Sequence, residues 1–323
     1  MSKSKSADIA TSQLSNVFQF WCLIIVGVPS LICSLLIFYH YLSDRTRRRG
    51  MHNHTILLII LTNVILILTD FSWMLDSLRR PGEILSATPS FCMIWWFLDF
   101  TLYNTQTIIL AWASIQRHIL IFHNHLLSTK KRKFYYHYLP PLILILYIIS
   151  FFLGVIYFPP CTNEFDYTEI ECGSNPCYLS ISFLVAWDSV MHSVLPTILI
   201  GIFSLALLYR IIAHKKRIRQ PIQWRKHRRM AMQLLSLSGV YLFLNFPLTI
   251  IMLVQYFQTE RPRFGFGTQL YIFFLTYSVT LSLPFVVYLS YLSNEKNQQR
   301  RTHPVLTHSQ HQRMYGGTLP MIK

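Results

Sequence analysis

Three aspartates, Asp70, Asp99 and Asp188, each interrupt a long run of apolar residues. A charged carboxylate at the centre of a membrane span costs about 2.5–3.5 kcal/mol on insertion scales. Acids kept at such a cost are candidates for holding a cation. Residues 99, 103 and 106 share one helical stripe, which places Tyr103 and Gln106 beside Asp99. Asp188 and His192 stand four residues apart and form a second polar pair. A cation on a carboxylate in a water-poor site gives a strong charge-assisted hydrogen bond, and nearby rings add cation–π attraction. The alternative for each acid is internal: neutralised, or paired with His192 and tyrosines to pack helices. Catalytic patterns are missing from the sequence. It has no HExxH, no nucleophile elbow, no Gly-rich phosphate loop and no His/Cys metal spacing. Neither an enzyme, a cofactor nor a metal site is expected. The histidines are scattered through loops and tail, and most of them read as solvated.

The elements that must position these residues are seven apolar runs, near 18–42, 55–76, 92–121, 138–158, 178–212, 230–257 and 268–292. A hydrocarbon layer about 30 Å thick needs roughly 20 apolar residues of helix. Helix is dictated because lipid offers the backbone no hydrogen-bond partner. Of the 323 residues, 52% are hydrophobic and 13% charged, against about 25% charged in soluble domains. The expectation is an all-α membrane protein, a seven-helix bundle spanning 18–292. A short outer segment, 1–17, precedes it, and a polar tail, 293–323, follows and is expected to be disordered.

Where the charge sits decides the orientation. With the N-terminus outside, six Lys and Arg lie on the outer side and twenty-three on the inner side. The positive-inside rule therefore predicts N-terminus out, C-terminus in. The net charge of +16 is thus assigned to the inner membrane face and not to nucleic acid. The basic clusters, among them Arg45, Arg47–Arg49 and Lys130–Lys133, should attract anionic lipid head groups or dock an acidic partner. No cleavable signal peptide is expected in the polar first 17 residues. The sequon at Asn53-His54-Thr55 falls on the inner side and should stay unmodified. The loop between runs four and five is acidic, with Glu164, Asp166, Glu169 and Glu171 and no Lys or Arg, and would steer a cation inward. Cys22 and Cys33 read as packing residues. Cys92, Cys161, Cys172 and Cys177 lie outside, where two disulfides can form. A bridge from Cys92 would pin the loop across the outer mouth, adding about 2–4 kcal/mol.

Pro196, Pro247 and Pro284 stand near mid-depth in runs five, six and seven, where each loosens its helix. No internal or inverted repeat is present, which argues against a transporter. Arg117 follows Cys92 by 25 residues, within Ser114-Ile115-Gln116-Arg117-His118. Together with Tyr241 and Pro247 in run six and Leu283-Pro284-Phe285-Val286-Val287-Tyr288 in run seven, this resembles a divergent rhodopsin-like (class A) G protein-coupled receptor. Gln116 stands where the family's triplet has an acid and His118 where it has Tyr. Asn63 replaces an Asp, Asn245 a Trp and Leu283 an Asn, and Tyr288 comes one place late.

The resemblance implies an extracellular ligand, a heterotrimeric G protein as partner and a multi-pass position in the plasma membrane. It puts Asp99 where amine-binding members hold an ammonium, with Tyr277 as its support. A cationic amine or a basic peptide is the expected ligand, with Asp99, Tyr103, Asp188, His192 and Tyr277 as its contacts. Arg117, Gln116, Tyr241, Pro247, Pro284 and Tyr288 are the expected activation residues. The implied bridge runs from Cys92 to Cys172, with Cys177 as the alternative. The neutral set Asn63, Gln106 and Leu283 should hold no sodium ion, which needs a charge in a low-dielectric site. With no carboxylate beside Arg117, a weak off-state and ligand-independent signalling are expected. A transporter or channel, or a receptor-like protein that no longer signals, are the competing readings.

Overall fold

Large apolar side chains line the outside of this chain, while amides, hydroxyls and an arginine fill its inside. Ile25, Phe18, Leu205, Phe243 and Phe246 are more than half exposed, whereas Asn63, Gln106, Gln116, Arg117 and Asn245 are buried. That inversion suits a hydrocarbon solvent, where exposed polar groups find no partner.

A computed structural model describes residues 2–44, 50–80, 86–122, 129–167, 170–173, 176–215, 221–257 and 266–302. Among them run seven helical rods. α1 is Ser2–Ser43. α2 passes from Met51–Leu66 through a π-helical Ile67–Phe71 into Ser72–Arg79. α3 is Pro89–Phe122. α4 joins Lys130–Lys133, a π-helical Phe134–Tyr138 and Leu139–Tyr157. α5 joins Ser182–Asp188, a π-helical Ser189–Val194 and Leu195–Lys215. α6 is Pro221–Phe257 and α7 is Phe266–Thr302. α7 thus continues unbroken past residue 292, and the rest of the expected disordered tail, 303–323, lies outside the described residues.

Six of the seven are long and apolar enough to cross a membrane among the described residues. The exception is α3, although its 34 residues make a rod about 50 Å long. It carries Asp99, Asn104, Gln106 and Gln116 along with several threonines, so its mean hydropathy falls short. Packing against α2, α4, α5 and α6 shields those groups: Thr101, Asn104, Thr105, Gln106 and Thr107 are all buried. The seven expected helices are thus present among the described residues, six of them apolar enough to cross a membrane and α3 more polar in its buried middle.

Proline accounts for two of the three wide turns. Pro196 cannot donate to the carbonyl four residues back, and the turn before it, Ser189–Val194, opens into π geometry. Pro140 and Pro141 follow the π turn Phe134–Tyr138 in the same way. The third wide turn, Ile67–Phe71, carries Asp70 and has its Ile67 carbonyl bound by Ser72 Oγ at 3.1 Å. Against it, α1 presents bare backbone at Gly27, where a Cβ would stand 2.2 Å from Phe71 Cζ.

Candidate functional site

The three intramembrane aspartates occupy three different surroundings. Asp70 is buried at 1% exposure. Its Oδ1 accepts from Trp95 Nε1 at 2.7 Å and its Oδ2 from the Tyr277 hydroxyl at 2.9 Å. Asp188 accepts from the Tyr178 hydroxyl at 3.0 Å, and its other oxygen lies 2.7 Å from His192 Nδ1. His192 Nε2 continues to the Tyr147 hydroxyl at 3.0 Å, which in turn accepts from Trp187 Nε1 at 2.9 Å. Phe151 and Phe152 flank the His192 ring, with centroids 4.7 and 5.5 Å away. Asp99 differs from both. It is half-buried on α3, and no described side chain hydrogen-bonds or ion-pairs with it. The charges within its Coulombic range are Asp70 and Glu171, both of its own sign.

The loop between α4 and α5 lies beside this layer. Cys92 pairs with Cys172 and Cys161 with Cys177, each with Cα atoms about 6 Å apart (5.9 and 6.0 Å). The implied partner of Cys92 is therefore the one found, and the alternative, Cys177, is taken by Cys161. Glu171, Cys172 and Gly173 all have positive φ (54°, 55° and 89°), a left-handed turn costly for the two residues that carry a Cβ. The disulfide holds one of them, and Trp96 Nε1 donates to the Glu171 carbonyl at 2.7 Å to hold the other. The turn keeps Glu171 within Coulombic range of both Asp99 and Tyr277.

Beneath the aspartates, Asn245 on α6 is a hydrogen-bonding hub. Its Oδ1 accepts from Tyr103 on α3 at 2.9 Å, and its Nδ2 donates to Thr197 on α5 at 3.1 Å and to Thr249 at 3.3 Å. One turn further in, the Tyr241 hydroxyl donates to Thr107 at 3.0 Å. Pro247 lies between Asn245 and Thr249, so side chains tie α6 to its neighbours where its backbone is weakest.

At the inner end of α3, Arg117 is buried, with Tyr41 of α1 within Coulombic range. Its neighbour Gln116 accepts from Thr55 of α2 at 2.6 Å and meets His137 of α4 through its amide nitrogen. His137 Nε2 lies 3.2 Å from His54 Nδ1, which also has the Tyr138 hydroxyl at 3.3 Å. The described part of the chain from residue 33 onward fits a known pattern: the family model "7 transmembrane receptor (rhodopsin family)" matches residues 33–286. The chain belongs to the rhodopsin family of seven-transmembrane receptors. Among curated proteins, no significant match to it is found.

The receptor's departures from the family pattern acquire structural content. Asn63 donates to the Thr280 carbonyl at 2.7 Å, yet its Oδ1 and the Gln106 Nε2 have no hydrogen-bond partner among the described residues. Leu283 is buried beside this region in the inner core. Pro284 is also buried, and Tyr288 packs against the same core with its ring stacked 6.2 Å from Tyr291. Tyr277, expected to support Asp99, gives its hydroxyl to Asp70. Tyr103 gives its own to Asn245. Asp188 and His192 meet as their spacing implied.

Sequence reasoning missed Trp95, Tyr147, Tyr178 and Thr197, whose contacts join separate helices or a loop and a helix and leave no local periodicity. Nor does local sequence single out His137, which is 3% exposed. The π turn before Pro140 places it inward, and that turn was the one available signal.

Proposed function

We propose that this receptor binds an extracellular cationic ligand, an amine or a basic peptide, through Asp99, and activates a heterotrimeric G protein through the inner end of α3. One observation carries the reading. Of the three intramembrane aspartates, Asp99 alone lacks a hydrogen-bond partner among the described residues, while donors saturate Asp70 and Asp188. A carboxylate left open beside two like charges is stabilised by an entering cation. Glu171 and the exposed Glu164 and Asp166 add negative potential on the approach. Asp188 and His192 form the wall on α5, Tyr103 the floor and Tyr277 the α2–α7 side.

The charge asymmetry supports an extracellular N-terminus, a cytoplasmic C-terminus and a place in the plasma membrane. Activation is a population shift: the ligand binds the inner-open arrangement more tightly than the closed one. Pro196, Pro247 and Pro284 give α5, α6 and α7 their compliant points. Opening would present Arg117 to the G protein, with Gln116, Tyr241 and Tyr288 changing partners.

The test is a screen of amines and short basic peptides with a promiscuous G-protein reporter, repeated on Asp99→Asn. Loss of the response at unchanged surface expression is expected. An unaltered dose–response removes Asp99 from the site, and ion flux in liposomes without nucleotide exchange would favour a channel or transporter instead.

A further inference from the structure

Four cations crowd the first turn of α4 with no anion to offset them. Lys130, Lys131, Arg132 and Lys133 form that turn, and no acidic residue accompanies them. The Thr129 side chain caps it by accepting from the Arg132 backbone N–H at 3.3 Å. A helix start carries the positive end of the helix dipole, so cations there are disfavoured and an anion is welcome. Lys130, Lys131 and Arg132 are exposed, and Lys133 is half-buried. Lys130, Lys131 and Lys133 have no ion-pair partner among the described residues. The stretches 45–69 and 107–148, which hold the inner parts of α2, α3 and α4, contain no Asp or Glu.

The next turn adds exposed rings. The wide turn Phe134–Tyr138 sends Phe134, Tyr135, Tyr136 and Tyr138 outward, each between 42% and 60% exposed, and His137 inward. Tyr138 is steadied by His54 of α2, whose Nδ1 lies 3.3 Å from its hydroxyl. The Tyr135 and Tyr136 hydroxyls have no hydrogen-bond partner among the described residues. Lys131 and Tyr135 stand four residues apart, as do Arg132 and Tyr136, so each cation shares a face with a phenol. Depth follows from length. Leu139–Tyr157 is 19 residues long, about what the hydrocarbon core requires. The turns before it therefore stand in the head-group layer, with the tyrosines at the boundary that such rings favour and the cations one turn further out.

We infer that the start of α4 is a binding site for an inner-leaflet phospholipid with a polyphosphorylated inositol head group. Lys130, Lys131, Arg132 and Lys133 hold the phosphates, and the Tyr135 and Tyr136 hydroxyls donate to them. Charge complementarity selects this occupant. Four cations within one turn call for several negative charges, whereas a serine head group carries a net charge of about one. The exposed rings lie where glycerol and the first acyl carbons would be, which a soluble inositol phosphate lacks. The leaflet rests on the orientation proposed above; the binding does not.

The test uses the full chain in mixed micelles of detergent and phosphatidylcholine. The probe is an acyl-labelled phosphatidylinositol bisphosphate, read by fluorescence anisotropy. Replacing Lys130, Lys131 and Lys133 together by Gln should weaken binding by about tenfold or more, since each cation near a surface contributes about fivefold. Tyr135→Phe with Tyr136→Phe keeps every charge and should weaken it by about two- to fivefold, through the lost hydrogen bonds. Replacing Arg225, Lys226 and Arg228 at the start of α6 by Gln should change it little. An equal loss there means diffuse attraction to the basic face and overturns the site. Phosphatidylserine that displaces the probe as well as unlabelled bisphosphate overturns the head-group assignment. Free inositol trisphosphate that matches the lipid overturns the lipid as occupant. If the lysine variant does not fold, the phenol variant and the two competitors still decide. The orientation is read separately: a C-terminal tag found on the outside of unpermeabilised cells overturns the inner leaflet while leaving the binding in micelles intact.

Discussion

Asp99 and Gln116 stand at opposite ends of one helix, α3, and their surroundings differ in kind. Near the outer end, Asp99 lies within Coulombic range of Asp70 and Glu171, both of its own sign, beside a loop fastened by two disulfides. At the inner end, hydrogen bonds link Thr55, Gln116, His137 and His54, and no disulfide is present there among the described residues. The outer end is fastened covalently and keeps Asp99 without a hydrogen-bond partner among the described residues. The inner end is joined through hydrogen bonds between side chains. A receptor needs this division, because the outer face must recognise without deforming while the inner face must change partners. Bonds worth about 0.5–1.5 kcal/mol each suit the part that moves.

Cutting the outer fastening should have the largest effect. Cys92 and Cys172 are 80 residues apart in sequence, and Cys161 and Cys177 are 16 apart. Chain entropy makes the longer closure worth about 4–5 kcal/mol and the shorter about 3. Cys172→Ser should therefore lower the unfolding midpoint and surface expression more than Cys161→Ser. The reverse order would mean that the outer loop is held by its local contacts. Next comes Asp70→Asn, which turns an NH2 toward either Trp95 or Tyr277. A cost of about 2–3 kcal/mol is expected, against little change for Asp99→Asn, and thermal unfolding in detergent reads both. Equal costs would erase the distinction between a structural and a binding carboxylate.

Smaller effects lie deeper in the bundle. Asn245→Leu strands the Tyr103 hydroxyl and frees Thr197, which should cost about 1–2 kcal/mol and alter basal exchange by loosening α6 beside Pro247. At the inner end, Gln116→Glu supplies the missing carboxylate near Arg117. Basal exchange near neutral pH should fall by about fivefold, the worth of one charge-assisted bond at a partly wet site. A silent wild type, with nothing to suppress, contradicts the weak off-state. The smallest expected effect is none: replacing NaCl by an N-methylglucamine salt should leave agonist affinity unchanged. Asn63 and Gln106 offer amides where an ion would need a charge, so a sodium-specific loss of affinity would break the account there.

Much of the scaffold was legible in the residue order. Apolar runs mark all seven helices, and Cys92, Arg117 and Pro284 at consistent spacings mark the family. α3 is the least apolar, because a helix packed against α2, α4, α5 and α6 tolerates polar residues that a lipid-facing helix cannot. The pairs four residues apart, such as Asp188 with His192, follow from helical geometry alone. Contacts between helices do not. Tyr277 chooses Asp70 over Asp99 because the π turn at Ile67–Phe71 sets how Asp70 faces its neighbours, and no motif announces a wide turn without a proline. His137 is hard to single out for a related reason: its neighbours Phe134, Tyr135 and Tyr136 are exposed, and composition cannot separate one inward ring from three outward ones.

The central claim is the proposal that Asp99, without a hydrogen-bond partner among the described residues, receives the ligand's cation. A cycle across ligand charge tests it most directly. An active amine and its neutral isostere are compared on the wild type and on Asp99→Asn, with binding measured in membranes. The wild type should prefer the amine by about 100-fold, the worth of a buried charge-assisted contact, and Asp99→Asn should show no preference. A preference that survives the substitution intact would place the cation elsewhere and contradict the account.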